Sequence, residues 1–343
     1  MAIRVRSYAK INIGLRIGPR RGDGFHDLRT MYTTLDLHEP LTVEVEDGDG
    51  IEIRCDDPRV PCDASNTCYK AAEGVQRALG IRRKVLISIE KRLPVQGGLG
   101  AASGNAVATI LALEKALGRE LEPRQRWEIA SKIGSDLNLF LYGGLTLGTG
   151  RGEEVWPLPD LPSIPVVIVT PEVGVSTPAA FKAWDALSPQ QPKVGVAGDP
   201  TLTHAEGSAT ISEFNHLVYE WLSASGVPAV GGDRAETLLL ELVRTGISND
   251  FERVVFQEIP VLREVKHALE REGAAYASLS GSGSTLYGLF RTPGEASSAV
   301  AKLNAAGMKA IVTRTLPREE YWREMFENRP EASAFASRGF PDA

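Results

Sequence analysis

Apolar residues occupy alternate positions from Ile3 to Ile17 (Ile3, Val5, Ala9, Ile11, Ile13, Leu15, Ile17), with Arg4, Arg6, Lys10, Asn12 and Arg16 between them. A period of two is that of a strand with one face on a core, so Lys10 and Asn12 fall together on the other face. The pattern breaks near Ser7 and Tyr8. Alternation also predicts a strand from Leu28 to Leu37 and a strand from Val85 to Ile89. It further predicts a hairpin that pairs Leu41, Val43 and Val45 with Ile51, Ile53 and Cys55 across Asp47-Gly48-Asp49-Gly50. Helical spacing covers Asn66 to Leu79 with Asn66 as N-cap, Ala106 to Leu117, and Pro123 to Ile133 with the proline in the first turn. Downstream come a buried strand over 165–170, a helix from Ala179 to Leu187, and helices over 211–224, 233–245 and 249–272. Prolines and glycines over 188–208 predict a surface loop. The chain closes as a small-residue strand, a Gly/Ser turn, a second strand, a helix from Gly294 to Ala306 and a strand from Lys309 to Thr315. That order suggests an open sheet with helices on one face, as in ferredoxin-like domains.

Bulk properties narrow the class. The chain has 343 residues, enough for two domains, and its 43% hydrophobic and 24% charged content is that of a globular protein in water. A net charge of −6, from 38 basic and 44 acidic residues, argues against a general nucleic-acid binder. The charged start, Arg4 and Arg6 among apolar residues, is not that of a signal peptide, and no apolar run reaches membrane-spanning length. Cys55, Cys62 and Cys68 lack metal-ligand spacing and are expected as reduced thiols, in keeping with a cytoplasmic protein.

The chemistry gathers around one stretch, Leu93 to Ala106, a glycine-rich turn between a strand and a helix. Glycines let backbone N–H groups converge, and the helix that follows offers its unpaired N–H groups and the positive end of its dipole. Together these suit an anion such as a phosphate. The turn is neither a P-loop nor a dinucleotide fingerprint, and taken alone it also reads as a tight packing turn. Asp136 is the one charged side chain in the mostly apolar stretch Ile133 to Gly144, so it either caps a helix or does chemistry. Lys10 alone reads as a solvated strand residue. Phe25 and His26, at the exit of the basic turn Pro19 to Gly24, read either as an ordinary core and surface pair or as groups that stack on and hydrogen-bond a flat heterocycle.

In this order, a lysine-bearing first strand, a glycine turn, an apolar segment with one Asp and a late Gly281-Ser282-Gly283-Ser284 turn, the chain resembles the GHMP small-molecule kinases. The matching runs extend from residue 9 to about 290. Ala9 to Leu15 with Arg21 to Thr30 is most similar to the branch whose substrate is a cytidine diphosphate-linked polyol. The resemblance implies an α+β, two-domain GHMP kinase fold. An N-terminal nucleotide-binding α/β domain (1–164) and a C-terminal ferredoxin-like domain (165–328) flank the active-site cleft, and 329–343 form a tail. It implies ATP and Mg²⁺, a small-molecule partner, no nucleic acid or membrane, and no required oligomer.

Residue by residue, the resemblance makes Asp136 the base for a substrate hydroxyl and Lys10 its partner. It assigns ATP to Asn66, Lys91, Pro94, Gly97, Gly98, Leu99, Gly100, Ala101, Ala102, Ser103, Gly104 and Asn105, with Ser103 as a metal contact. It assigns the alcohol to Asn12, Phe25, His26, Thr177 and Phe181, the two phenylalanines sandwiching the base. The family's turn usually reads Gly-Leu-Gly-Gly-Gly-Ser-Ser. Here two glycines are Ala101 and Ala102, whose methyls would clash if those residues need positive φ or touch a phosphate, and Gly104 deletes a hydroxyl available in the family to bond the triphosphate or its metal. The rival readings are a GHMP kinase for another alcohol (mevalonate, homoserine or a sugar) and a nucleotide-binding homologue without catalysis.

Overall fold

The computed structural model describes residues 2–187, 213–221, 223 and 234–327. The 188–208 loop and the 329–343 tail lie outside the described residues. Two sheets form the frame. In the first, β1 (Ala2–Arg20) runs antiparallel along one edge of the long β2 (His26–Glu46). The other edge of β2 is shared by β4 (Lys84–Ile89) and β5 (Leu145–Thr149), outside which lie β3 (Gly50–Cys55) and β6 (Glu154–Pro157). The second sheet is antiparallel, in the order β10 (Ala310–Arg314), β7 (Pro165–Val169), β9 (Leu286–Leu289), β8 (Tyr276–Leu279).

Helices α1 (Thr67–Leu79), α2 (Ala101–Leu117), α3 (Pro123–Ile133) and the short α4 (Leu137–Phe140) follow the first sheet. The second carries α5 (Thr177–Leu187), a helix over 213–221 (α6), α7 (Arg234–Thr245), α8 (Glu252–Glu258), α9 (Pro260–Arg271) and α10 (Pro293–Ala305). The chain then returns: α11 (Arg318–Glu324) lays Tyr321 into the first core, its hydroxyl donating to Phe140 O at 2.6 Å. Among the described residues no helix is long and apolar enough to cross a membrane.

Three local expectations need correction. The hairpin of residues 41–45 with 51–55 does not form: β4 lies between the two strands, antiparallel to β2 and parallel to β3. The chain leaves β3, crosses through α1 and returns parallel, and a parallel return needs such a crossover helix. The strand expected to end at Leu37 continues through Pro40 as part of β2. The single helix over 249–272 is two, α8 and α9, because Pro260 cannot continue the first and instead opens the second.

The break near Ser7 and Tyr8 is a bulge, where Tyr8 pairs with His38 and Ala9 with Leu35. Beyond it both faces of β1 are covered. Ala9, Ile11 and Ile13 share one core with Val166, Ile168 and Tyr287 of the second sheet. Lys10 and Asn12 on the opposite face are each only 2% exposed, so this is not the solvated face of an edge strand.

Candidate active site

A cavity of about 1020 Å³ opens beside the first sheet, lined by the 94–103 turn, by Lys10, Tyr32 and Asp136, by Phe25, His26 and Phe181, and by Gly281 and Ser282 of the turn between β8 and β9. Lys10 Nζ lies 3.2 Å from Asp136 Oδ2 and donates to Asn12 Oδ1 at 2.6 Å. Asn12 is itself aimed by Thr30, whose Oγ1 accepts from Asn12 Nδ2 (2.9 Å) and donates to Gly14 O (2.8 Å). Asp136 holds the N-cap position of α4 but makes no capping bond with its side chain. Its carboxylate turns to Lys10 and to Tyr32, whose hydroxyl donates to Oδ1 at 3.2 Å. The side chain therefore does not cap α4, and the carboxylate lies on the cavity wall. Asn138, bonded through Nδ2 to Ser131 Oγ and Glu153 O, pins the short helix that carries it.

Tyr32 is a site residue that sequence reasoning missed, because in an alternating strand it reads as core. Burial raises its phenol well above the usual value, and the adjacent Asp136 charge raises it further. The hydroxyl thus remains a donor across the working pH range. Its ring also lies under the Lys10 ammonium, 5.4 Å from Nζ.

The glycine turn is held from two sides. Lys10 N donates to Leu99 O (2.9 Å), while Thr285 N donates to Gly97 O (3.1 Å) and Ser280 Oγ to Gly98 O (2.9 Å). Gly98 has φ +80°, and a Cβ there would overlap Ser280 O, so only glycine fits. Left-handed backbone is confined to Gln96, Gly98 and Gly100 within the turn. Ala101 and Ala102 already belong to α2, which starts five residues before the expected Ala106. The two alanines are ordinary first-turn residues, so the strain expected of a positive φ does not arise.

The first amide claimed inside the helix is that of Gly104, to Gly100 O at 2.8 Å, which leaves the N–H groups of Ala101, Ala102 and Ser103 unclaimed by the helix. Gly104 itself faces away from the cavity: a Cβ would stand 2.8 Å from Tyr8 O. Its missing hydroxyl therefore concerns the contact of α2 with β1 and not the anion site.

The remaining residues are placed as follows. Pro94, Ser103 and Asn105 line the cavity. Asn66 lines it too, but both ends of its amide are engaged, Oδ1 by Cys68 N (2.8 Å) and Nδ2 by Pro61 O (2.6 Å). Lys91 is paired with the buried Glu39. Thr177 Oγ1 lies 2.8 Å from Ser282 Oγ, tying the start of α5 to the Gly/Ser turn. Phe181 stacks on His26, 5.4 Å between centres and 9° from parallel, while the exposed Phe25 lies under the Arg151 guanidinium at 4.9 Å. His26 Nδ1 faces Gly18 O at 3.0 Å, so it donates there; Nε2 is 2.9 Å from Asp185 Oδ1 but out of line for a hydrogen bond.

Such a cavity can seat an anion chain on the turn, a planar ring by Phe25, His26 and Phe181, and a reacting hydroxyl at the Lys10–Asp136 pair. Known proteins share this arrangement of chain. Residues 66–144 match the family model for the GHMP kinases N terminal domain, and 235–309 that for GHMP kinases C terminal. The chain is 34% identical over 328 residues to the 4-diphosphocytidyl-2-C-methyl-D-erythritol kinase of Heliobacterium modesticaldum, covering 93% of this chain and 97% of the relative. It is 34% identical to that of Solibacter usitatus, covering 84% and 81%. Among solved structures it resembles a crystal structure of 4-(cytidine 5'-diphospho)-2C-methyl-D-erythritol kinase, with a TM-score of 0.68 at 28% identity over 91% of this chain and 99% of that one. The homoserine kinase of Cytophaga hutchinsonii shares the fold, with a TM-score of 0.68 at 20% identity over 93% and 96% of the two chains.

Proposed function

This chain belongs to the GHMP kinases, in their 4-diphosphocytidyl-2-C-methyl-D-erythritol kinase branch, and we propose on that premise how its cavity carries out the reaction. The activity is ATP-dependent phosphorylation of the 2-hydroxyl of 4-diphosphocytidyl-2-C-methyl-D-erythritol, a step of the non-mevalonate route to isoprenoid precursors. The observation that carries the assignment of roles is the Lys10–Asp136 pair, 3.2 Å apart on the wall of the cavity that the glycine turn and the aromatic side chains also line.

Phosphoryl transfer asks for alignment and for compensation of charge. Gly97 to Ser103 supply backbone N–H groups to the ATP phosphates. Asp136 takes the proton of the 2-hydroxyl as it attacks the γ-phosphorus and ADP departs, and Lys10, 3.2 Å from the carboxylate, offsets the charge that develops. Phe25 and Phe181 hold the cytosine, His26 backs Phe181 through its stacked ring, and Asn12 meets the polyol or diphosphate.

Among the described residues no three His, Cys, Asp or Glu gather into a metal site of their own. The Ser103 hydroxyl on the cavity wall is a hard oxygen donor of the kind that shares Mg²⁺ with nucleotide phosphates, so the cavity fits Mg²⁺ carried in on ATP. Bound there, Mg²⁺ offsets the phosphate charge.

An enzyme-linked assay of ADP release, with Mg·ATP and the cytidylyl alcohol and with mevalonate, homoserine and galactose in parallel, tests the proposal. Release with the cytidylyl compound alone is expected. Release with one of the other alcohols instead would remove the cytosine pocket from the account. In the same assay Tyr32→Phe, which deletes one donor to Asp136, is expected to lower kcat about tenfold with KM values unchanged. Because the Tyr32 phenol lies well above its usual range, the variant should show the same alkaline limb as the parent enzyme.

A further inference from the structure

A carboxylate behind the cavity ties together the two feet of the phosphate turn. Glu39 stands on β2 in step with Leu41 and Val43, so it takes their core-facing side, and it is wholly buried, 0% exposed. Its Oε1 receives the Lys91 ammonium and the N–H groups of Arg92 (3.0 Å) and Leu93 (2.7 Å). Its Oε2 receives Asn105 Nδ2 at 2.8 Å. Residues 91–93 lead into the turn from β4, and Asn105 follows it in α2. A buried carboxylate is tolerated only where its charge is paired and its lone pairs are filled, and all the groups that do so here belong to the two segments flanking the turn.

The same bonds fix what the flanks present. With its Nδ2 committed to Glu39, Asn105 keeps an Oδ1 that is buried and has no hydrogen-bond partner, in a residue that lines the cavity. Lys91, though on the cavity wall, has its ammonium directed to Glu39.

We infer that Glu39 is the positioning residue of the nucleotide site: it sets the separation and aim of the two segments between which the phosphate-binding amides are strung. The inference rests on the kinase reading in that the anion held by the turn is ATP. Glutamine at this position retains one oxygen for the backbone N–H groups. It cannot neutralise Lys91, and it sets an amide against Asn105 Nδ2, so the two feet come apart while the strand stays in place.

Glu114, at the other end of α2, provides a matched control. It is 4% exposed and bound to Arg126 (2.8 and 3.0 Å) and to Leu121 N, far from the turn. The parent enzyme, Glu39→Gln, Glu39→Asp and Glu114→Gln are titrated with a non-hydrolysable ATP analogue in Mg²⁺. Thermal unfolding and both KM values are measured on the same samples. Glu39→Gln is expected to raise the analogue Kd and the KM for ATP about tenfold and to leave the KM for the alcohol unchanged. Glu39→Asp, which keeps the charge on a shorter stem, should recover part of the loss, and Glu114→Gln should lose thermal stability at an unchanged Kd. An analogue Kd for Glu39→Gln within twofold of the parent, with a loss of thermal stability like that of Glu114→Gln, would overturn the inference and leave Glu39 a structural residue. If Glu39→Gln does not fold, Glu39→Asp carries the same comparison of Kd. Should the parent enzyme bind the analogue yet phosphorylate none of the alcohols, the reaction assignment fails while the Kd comparison still decides the role of Glu39.

Discussion

Asp136→Asn is expected to lower kcat by about 10³-fold while leaving ATP affinity near that of the parent enzyme. The substitution keeps the volume and the position at the start of α4, where the side chain makes no capping bond that could be lost. It removes the carboxylate proposed to accept the proton of the attacking hydroxyl. It also takes the negative charge from Lys10, which is 2% exposed and is left with neutral neighbours, Asn12 Oδ1 and the Tyr32 ring. Some thermal stability should therefore be lost along with turnover. The phosphate turn does not depend on this charge: Lys10 reaches it through its backbone N–H to Leu99 O. Turnover measured by ADP release, nucleotide affinity by titration and fold by circular dichroism separate the effects. A variant that turns over within a few-fold of the parent would remove Asp136 from the role of base.

Gly98→Ala is expected to abolish measurable ATP binding and to destabilise the protein. A left-handed backbone costs a non-glycine residue about 1–2 kcal/mol, and at φ +80° the new methyl also meets the carbonyl oxygen of Ser280, which is backbone and cannot swing aside. Relief requires the turn to part from residues 280–285, to which it is bonded through Gly97 O and Gly98 O. The phosphate-binding amides would then lose their common aim. Ala101→Gly is the instructive opposite. It restores the residue usual in the family, yet Ala101 lies in the first turn of α2, so the KM for ATP should change less than about twofold. Titration with ATP and thermal unfolding of both variants check the pair. A large gain in affinity for Ala101→Gly would show that the alanine constrains the turn after all.

Much of this was legible in the chain. Alternation located β1 and its bulge, since a core face demands every second residue and Ser7-Tyr8 break the count. Pro123 to Ile133 is a helix with the bounds its proline and glycine flanks predict. Asp136 stood out because a lone carboxylate in an apolar segment has to be accounted for by a partner. Glu39 left a weaker signal that two-residue counting back from Val43 and Leu41 would have caught: it shares their parity, so it points inward, where an acidic side chain needs a donor set.

The sequence by itself determined most of the local elements, the place of the glycine turn between a strand and a helix, and the family, because these depend on periodicity, on backbone freedom at glycine and on motifs read in order. The tertiary structure decided which distant residues meet. β4 enters between β2 and β3, so residues 91–93 arrive beside Glu39 and the expected hairpin cannot form. α2 begins at Ala101, so the two alanines carry no left-handed strain and Gly104 serves the contact with β1. Tyr32 turns from a core residue into the donor that orients Asp136. Each outcome is set by strand order and by where a helix starts against its neighbours. Those are consequences of packing the whole chain, and no window of sequence contains them.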